Sequence, residues 1–161
     1  FAEKAIAPAI RLAANSQLVA IQKRSMDSAR EKAKEFSLPL AFDDARSLVR
    51  HPDVDAVFIV SANSCHFPET IVAAEAGKHV IVEKPMEITL DACDRMIAVQ
   101  RETGRKLSVI SQHRFDAASI MVKDAIDSGK LGKIILANAS VKWWRKQEYY
   151  DSGDWRGTKS R

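Results

Sequence analysis

The sequence has few of the residues that mark several common classes of protein. Its two cysteines, Cys65 and Cys93, form no Cys-x-x-Cys pair, so neither a metal site nor a disulfide framework is expected. Its longest apolar runs are the size of a strand, well below the roughly 20 residues of a membrane-spanning helix. The excess of 25 basic over 21 acidic residues is spread along the chain, which argues against a nucleic-acid partner. We therefore expect a soluble cytoplasmic protein with no metal, no nucleic-acid partner and no membrane association.

Helical and strand patterns alternate through the first part of the chain. Apolar residues with helical spacing predict helices, and short apolar runs between them predict strands. The predicted helices are 3–14, 27–36, 43–49, 68–76 and 90–103, and the predicted strands are 17–22, 38–42, 55–60, 79–82 and 106–111. Because short connections join each strand to the next through a helix, a parallel sheet with helices on both faces is expected. The predicted fold class is α/β, with a Rossmann-like sheet.

The pattern changes near residue 115. A helix is predicted over 117–127, and one long strand is predicted over 133–144. A strand of this length suits an antiparallel sheet. We therefore predict two domains, residues 1–114 with the parallel sheet and residues 115–161 as the start of an α+β domain.

Glycine is absent from the region where such a sheet normally needs it. A doubly wound nucleotide-binding sheet opens with a strand and a glycine-rich turn before its first helix, whereas the first glycine here is Gly77. In the strand order 3-2-1-4-5-6 the first strand is central, so two buried strands would lack a partner, which is costly. The chain also begins with Phe1 and stops without finishing a hydrophobic pattern. We therefore expect a fragment cut at both ends, which could have lost a targeting signal.

Five short motifs follow one another in a particular order. They are ANSCH at 62–66, GKHVIVEKP at 77–85, HRF at 113–115, GKLGKI at 129–134 and WRGT at 155–158. Along the whole chain this order resembles the glucose–fructose oxidoreductase/inositol dehydrogenase (Gfo/Idh/MocA) family of nicotinamide-dependent oxidoreductases. The triplet EKP alone is a weak signal, but at a strand end about 20 residues after Asn63-x-x-His66 it is much more specific. The family usually has Thr or Pro where this chain has Ala62, a mild departure.

The resemblance implies an NAD(P)-dependent dehydrogenase. Such an enzyme moves hydride between the cofactor and a hydroxyl-bearing carbon of a sugar, polyol or related diol. It implies a second domain for substrate binding and oligomerisation, hence a homo-oligomer at full length. In relatives the first strand and glycine-rich turn lie in an N-terminal part that this chain lacks. The Asp and His that assist proton transfer in relatives cannot be located here, so we expect residues 1–161 alone to be nearly inactive.

Lys84 lies just past the carboxyl end of a predicted parallel strand, the edge where ligands bind. Pro85 fixes its own φ and holds Lys84 out of the α region. A lysine beside a nicotinamide is suited to exchange a proton with a substrate hydroxyl. By the resemblance, Lys84 is the catalytic lysine, Glu83 and Pro85 line the cofactor with it, and the peptide bond before Pro85 is cis. The alternative, from the triplet alone, is a solvated lysine in a turn.

Basic residues follow the first predicted strand. Folds specific for NAD commonly place a carboxylate there, whereas a cation accommodates the 2′-phosphate of NADP. Lys23, Arg24 and Ser25 offer two cations and a hydroxyl, so NADP is preferred to NAD as the predicted cofactor. A basic, solvated turn is the alternative.

Polar residues also follow two other predicted strands. Asn63 and His66 come after the third strand and can contact a nicotinamide ribose, although His66 could instead be a helix cap or surface residue before Pro68. Arg114 comes after the fifth strand and either faces the ligand or pairs with Asp116.

Trp155 and Arg156 resemble a family segment that reaches the nicotinamide or its phosphates, for which an indole and a guanidinium offer stacking and anion contacts.

Two functions other than catalysis stay open at the level of sequence. The first is a non-catalytic dinucleotide-binding module that senses redox state or regulates a partner. The second, a basic α/β nucleic-acid-binding protein, lacks a basic patch to support it.

Overall fold

A computed structural model describes residues 2–153 and 156–157. By its contacts the chain divides into two compact units, residues 1–114 and residues 115–161. The division falls where the hydrophobic pattern of the sequence changes.

The first unit alternates helices and strands. In chain order it contains a π-helical turn (Ala2–Ile6), α1 (Ala7–Leu12), β1 (Ala20–Gln22), α2 (Met26–Glu35), β2 (Leu40–Phe42), α3 (Ala45–Arg50), β3 (Ala56–Ile59), a 3-10 turn (Asn63–Cys65), α4 (His66–Glu75), β4 (His79–Val82), α5 (Leu90–Thr103) and β5 (Leu107–Val109). The bounds of β4 and α5 are those predicted. The other strands are shorter than predicted.

Short polar side chains determine where three of the helices begin. Ser25, Asp44 and Thr89 precede α2, α3 and α5, and each accepts a hydrogen bond from a backbone N–H three residues further on. Such caps satisfy an amide that has no partner within the helix. Gly104 ends α5 with a φ of +64°, in the left-handed region that favours glycine.

The five strands are parallel and form two sheets, in the orders β1-β2 and β3-β4-β5. The predicted α/β fold is thereby confirmed. Among the described residues no strand lies between β1 and β3. A cavity of about 700 Å³ lies there, lined largely by apolar side chains of β1, β3 and α1. It has the position that the order 3-2-1-4-5-6 assigns to its first strand.

The core of the first unit is built around β4. Val80 and Val82 are almost completely buried, and Ala73 of α4 and Met96 of α5 belong to the same cluster. Removing a valine or methionine side chain of this kind from water stabilises the fold by roughly 1.5–3 kcal/mol. The strand that precedes the EKP triplet is therefore firmly held on both edges and by two helices.

The second unit contains α6 (Ala117–Asp127) and α7 (Gln147–Asp151), after a 3-10 turn (Gln112–Phe115). The bounds of α6 are those predicted, whereas the short α7 is not predicted.

The prediction of a strand over 133–144 is wrong, because the structure assigns no strand to these residues. Ile135 is 91% exposed and Trp144 is 83% exposed. A strand exists only when a neighbour supplies its ladder hydrogen bonds, and the described part of the second unit offers no such neighbour.

Candidate functional site

The EKP triplet lies at the carboxyl end of β4. The backbone N–H of Glu83 donates to the carbonyl of Ile59 at 3.0 Å, which extends the pairing with β3 by one residue. The peptide bond between Lys84 and Pro85 is cis, as the resemblance implies. The Lys84 side chain is exposed, and no residue in the described part of the chain hydrogen-bonds its Nζ. Lys84 therefore leaves a rigid strand end with its amine available to a ligand.

Glu83 has a carboxylate oxygen without a donor. Its Oε2 accepts the backbone N–H of Lys84 at 3.1 Å. Its Oε1 is buried, and no described residue donates to it. Buried polar atoms nearly always have a partner, so an acceptor of this kind at the ligand edge of a sheet suits a hydroxyl or amide donor supplied by a ligand.

His66, the first residue of α4, is only 1% exposed. Its Nδ1 lies 2.9 Å from the carbonyl oxygen of Pro85. Its Nε2 lies 3.3 Å from the carbonyl oxygen of Ser61. The imidazole thus connects the beginning of the loop that follows β3 with the loop that carries the EKP triplet.

Glu87 makes a second connection between α4 and the EKP loop. Its side chain is 9% exposed, Oε2 accepts the backbone N–H of Phe67 at 2.7 Å, and Oε1 accepts that of Ile88 at 2.7 Å. Sequence alone offers only a carboxylate two residues after Pro85, which no motif distinguishes from a surface residue.

Asn63 lies in the 3-10 turn that follows β3, and its side chain is half-buried. Since β3 and β4 are adjacent and parallel, with Ile59 opposite Val82, both strands end at the same edge of the sheet. Asn63 and the EKP triplet are therefore brought to one edge, as the sequence predicts.

The basic turn after β1 is partly occupied by other groups. Lys23 Nζ lies 2.8 Å from Glu3 Oε1, and Lys32 Nζ lies 3.1 Å from Glu3 Oε2. The hydrogen bond from Lys23, followed by that from Lys32, lowers the pKa of Glu3 from its ordinary value. The Ser25 hydroxyl caps α2, whereas the Arg24 side chain is exposed. Lys23 and Arg24 line the same 700 Å³ cavity as Ser61.

The remaining predicted contacts lie near or within the second unit. Arg114 is exposed in its 3-10 turn. The guanidinium carbon of Arg156 lies 4.3 Å from the ring centroid of Tyr149, and that of Arg145 lies 4.9 Å from the same centroid. Trp155 lies outside the described residues.

Two kinds of feature are absent from residues 2–153 and 156–157. They contain no group of three or more His, Cys, Asp or Glu side chains that could hold a metal ion. They also contain no helix with the length and apolar character needed to cross a membrane.

Comparison with known proteins assigns the first unit. A family model described as an oxidoreductase family with an NAD-binding Rossmann fold matches residues 1–111.

Two curated relatives are dehydrogenases. The chain is 38% identical over 118 residues to 1-carboxy-3-chloro-3,4-dihydroxycyclohexa-1,5-diene dehydrogenase of Comamonas testosteroni, which covers 73% of this chain and 30% of that protein. It is 34% identical over 116 residues to myo-inositol 2-dehydrogenase of Thermotoga maritima, which covers 72% of this chain and 35% of that protein.

A solved structure matches both units. The WlbA dehydrogenase of Bordetella pertussis, in complex with NADH and UDP-GlcNAcA, aligns with a TM-score of 0.86 and 30% identity, over 97% of this chain and 48% of that one. The chain spans about a third of the length of the two curated relatives, 30% and 35% respectively.

Proposed function

Since the chain belongs to the Gfo/Idh/MocA family of oxidoreductases with an NAD-binding Rossmann fold, we propose that the protein is an NAD(P)-dependent dehydrogenase. Its substrate would be a small molecule with a hydroxyl-bearing carbon: a sugar, a polyol or a related diol. One observation carries the proposal: an exposed lysine, Lys84, leaves the carboxyl end of a buried parallel strand beside the unfilled acceptor of Glu83. The names of the two curated relatives, both dehydrogenases of hydroxylated rings, support this substrate class.

The residues at this edge fit a nicotinamide dinucleotide. The buried Glu83 Oε1 needs a donor, and the ribose hydroxyls of the cofactor are donors. We propose that the nicotinamide half is held by Asn63, Glu83, Pro85 and Arg114, and the adenosine half by Lys23, Arg24 and Ser25. The bound nicotinamide supplies or accepts the hydride.

Lys84 then has a defined chemical role. Its uncharged amine accepts the proton of the substrate hydroxyl when the alcohol is oxidised, and its ammonium form returns a proton to the oxygen in the reverse direction. A side chain that moves a proton in this way contributes about 10²- to 10⁴-fold to the rate.

The test is Lys84→Met in the whole protein. We expect turnover to fall by about 10²- to 10⁴-fold, while the dissociation constant of the cofactor, measured by fluorescence titration, changes little. Lys106→Met is the matched control, because Lys106 is an exposed lysine that precedes β5, at the opposite edge of the sheet. Its turnover should stay at the wild-type level.

The outcome also separates the enzyme from a binding module. Wild-type turnover in Lys84→Met would refute the proposed role of the lysine. Tight cofactor binding with no turnover of any polyol or sugar by the wild-type protein would favour a non-catalytic dinucleotide-binding module instead.

We further propose that the whole protein is a cytoplasmic homo-oligomer that pairs through its second unit. The exposed apolar side chains there, Ile135 and Leu136 among them, support such an interface. Light scattering of the purified whole protein measures the oligomeric state directly.

A further inference from the structure

Two independent side-chain contacts connect the beginning of α4 with the loop that carries the EKP triplet. His66 reaches the carbonyl of Pro85, 19 positions away. Glu87 reaches back to the backbone N–H of Phe67, 20 positions away. In the first contact the side chain belongs to the helix and the backbone group to the loop, and in the second the side chain belongs to the loop and the backbone group to the helix. Together the two contacts restrain both the position and the tilt of the loop.

Both ring nitrogens of His66 face hydrogen-bond acceptors. Both atoms that face it are carbonyl oxygens, which only accept hydrogen bonds, and a neutral imidazole carries one N–H. In a neutral ring the shorter contact, 2.9 Å to Pro85 against 3.3 Å to Ser61, favours the N–H on Nδ1. With 1% of the residue exposed, water does not replace the Pro85 carbonyl as the acceptor.

The Glu87 carboxylate holds the loop to α4 through both of its oxygens. One oxygen accepts from Phe67 in the first turn of α4, and the other accepts from Ile88 in its own loop. A carboxylate is favoured at the N-terminal end of a helix, where unpaired amides carry partial positive charge. Glu87 therefore ties the loop to the start of the helix through charge-assisted hydrogen bonds.

The Lys84 side chain itself has no hydrogen-bond partner among the residues that the structure describes. The direction in which it leaves the chain is therefore set by the backbone on either side of it. On the N-terminal side, the Glu83 N–H is held by the Ile59 carbonyl. On the C-terminal side, the Pro85 carbonyl is held by His66.

We propose that His66 and Glu87 are positioning residues for Lys84. They hold the Lys84–Pro85 backbone so that the amine meets the substrate hydroxyl, and His66 acts through Pro85 rather than by contact with the cofactor. The proposal rests on the proposed role of Lys84 in proton transfer. A displacement of about 1 Å at a reacting group can cost about 10²-fold in rate, so the loss of either contact should affect the chemical step.

The experiment uses four variants of His66 and Glu87 in the whole protein. His66→Asn places an amide N–H near the position of Nδ1, whereas His66→Gln places one near Nε2. His66→Ala removes both ring nitrogens, and Glu87→Gln replaces one accepting oxygen with an NH₂ group that faces an N–H. We expect kcat to fall by about 10- to 10²-fold in the Ala, Gln and Glu87→Gln variants, with partial recovery in His66→Asn. The KM of the substrate and the dissociation constant of the cofactor should change by less than about threefold.

Thr70→Val is the control for disturbance of the core. Thr70 lies in α4 one turn after His66 and is 1% exposed. Its hydroxyl has no partner among the described residues. Its hydroxyl makes no hydrogen bond to the loop, so this variant should keep the wild-type kcat. All assays are run at a temperature at which circular dichroism shows every variant to be folded.

Each result bears on the proposal. An unchanged kcat in His66→Ala and Glu87→Gln would overturn it, and so would a raised KM with an unchanged kcat, which would indicate direct ligand contact. If His66→Ala does not fold, ¹⁵N-edited spectra of the wild-type imidazole decide: a proton on Nδ1 supports the assignment, and a neutral ring with its proton on Nε2 contradicts it. Wild-type turnover in Lys84→Met would instead refute the proposed function, so the two failures are distinguishable.

Discussion

Lys23 and Arg24 are consecutive residues after β1, but their side chains meet different surroundings. Lys23 is paired with Glu3, and this ion pair competes with any phosphate for the lysine. Arg24 is exposed, and no described residue pairs with it. At the scale of the single residue, Arg24 is therefore the better candidate to bind the 2′-phosphate of NADP.

Replacement of Arg24 tests the cofactor preference. A hydrogen bond to a charged group contributes roughly 1.5–3 kcal/mol, so Arg24→Ala in the whole protein should weaken NADPH binding by about tenfold or more. The affinity for NADH should stay the same. Isothermal titration with both cofactors measures the two constants.

Arg30→Ala is the matched control, since Arg30 is an exposed arginine of α2 and should affect neither cofactor. Equal losses for NADPH and NADH in Arg24→Ala would show that the residue does not read the 2′-phosphate.

At the scale of the element, α3 depends on the carboxylate that precedes it. Asp44 accepts the backbone N–H of Ser47 at 2.8 Å. The side-chain hydrogen bond with Ser47 is the largest of the effects that lower the pKa of Asp44 from its ordinary value of 3.8. A carboxyl whose pKa is lower in the folded state stabilises the fold above its unfolded pKa, and this contribution is lost as the pH falls through the folded pKa.

Asp44→Ala should therefore lower the free energy of unfolding at pH 7, because the cap and the charge are both lost. The difference from wild type should shrink as the pH falls below 3.8. Asp44→Asn keeps an accepting oxygen and should show a smaller loss at pH 7. Urea unfolding at a series of pH values measures these differences, and a loss in Asp44→Ala that grows in acid would contradict the assignment.

Elements with complete local signals have the bounds that the sequence predicts. α5 has a threonine cap, an apolar face and Gly104 with a positive φ, and all three signals lie within the element. The strand predicted over 133–144 rests only on an apolar pattern, which a strand shares with an extended, unpaired segment. Pairing depends on residues distant in sequence, so the pattern alone could not decide it.

At the scale of the whole molecule, the two units differ in how much of their apolar surface is buried. The core around β4 belongs to the first unit. In the second unit, Ile135, Leu136 and Trp144 are each more than three-quarters exposed, at 91%, 77% and 83%. A segment with few buried contacts unfolds locally at a low cost in free energy, so we expect residues 133–144 to open more readily than β4.

Hydrogen exchange tests this difference in the 161-residue chain. We expect the amides of residues 133–144 to exchange at nearly the rate of an unstructured peptide, and those of β4 to exchange more slowly by orders of magnitude, since β4 is paired on both edges. The α6 amides serve as an internal reference within the same unit. Slow exchange in 133–144 would show that these residues form a hydrogen-bonded strand after all.

The sequence by itself determined the order of helices and strands in residues 1–111, the parallel sheet and the placing of Lys84 at a strand end, because each rests on local periodicity or on a motif of a few adjacent residues. Only the tertiary structure decided that the imidazole of His66 holds Pro85, that Glu87 holds Phe67, and that Glu3 pairs with Lys23. These partners are 19, 20 and 20 positions apart. Side chains so far apart in sequence meet only when packed strands and helices bring them together, and no local pattern records that distance.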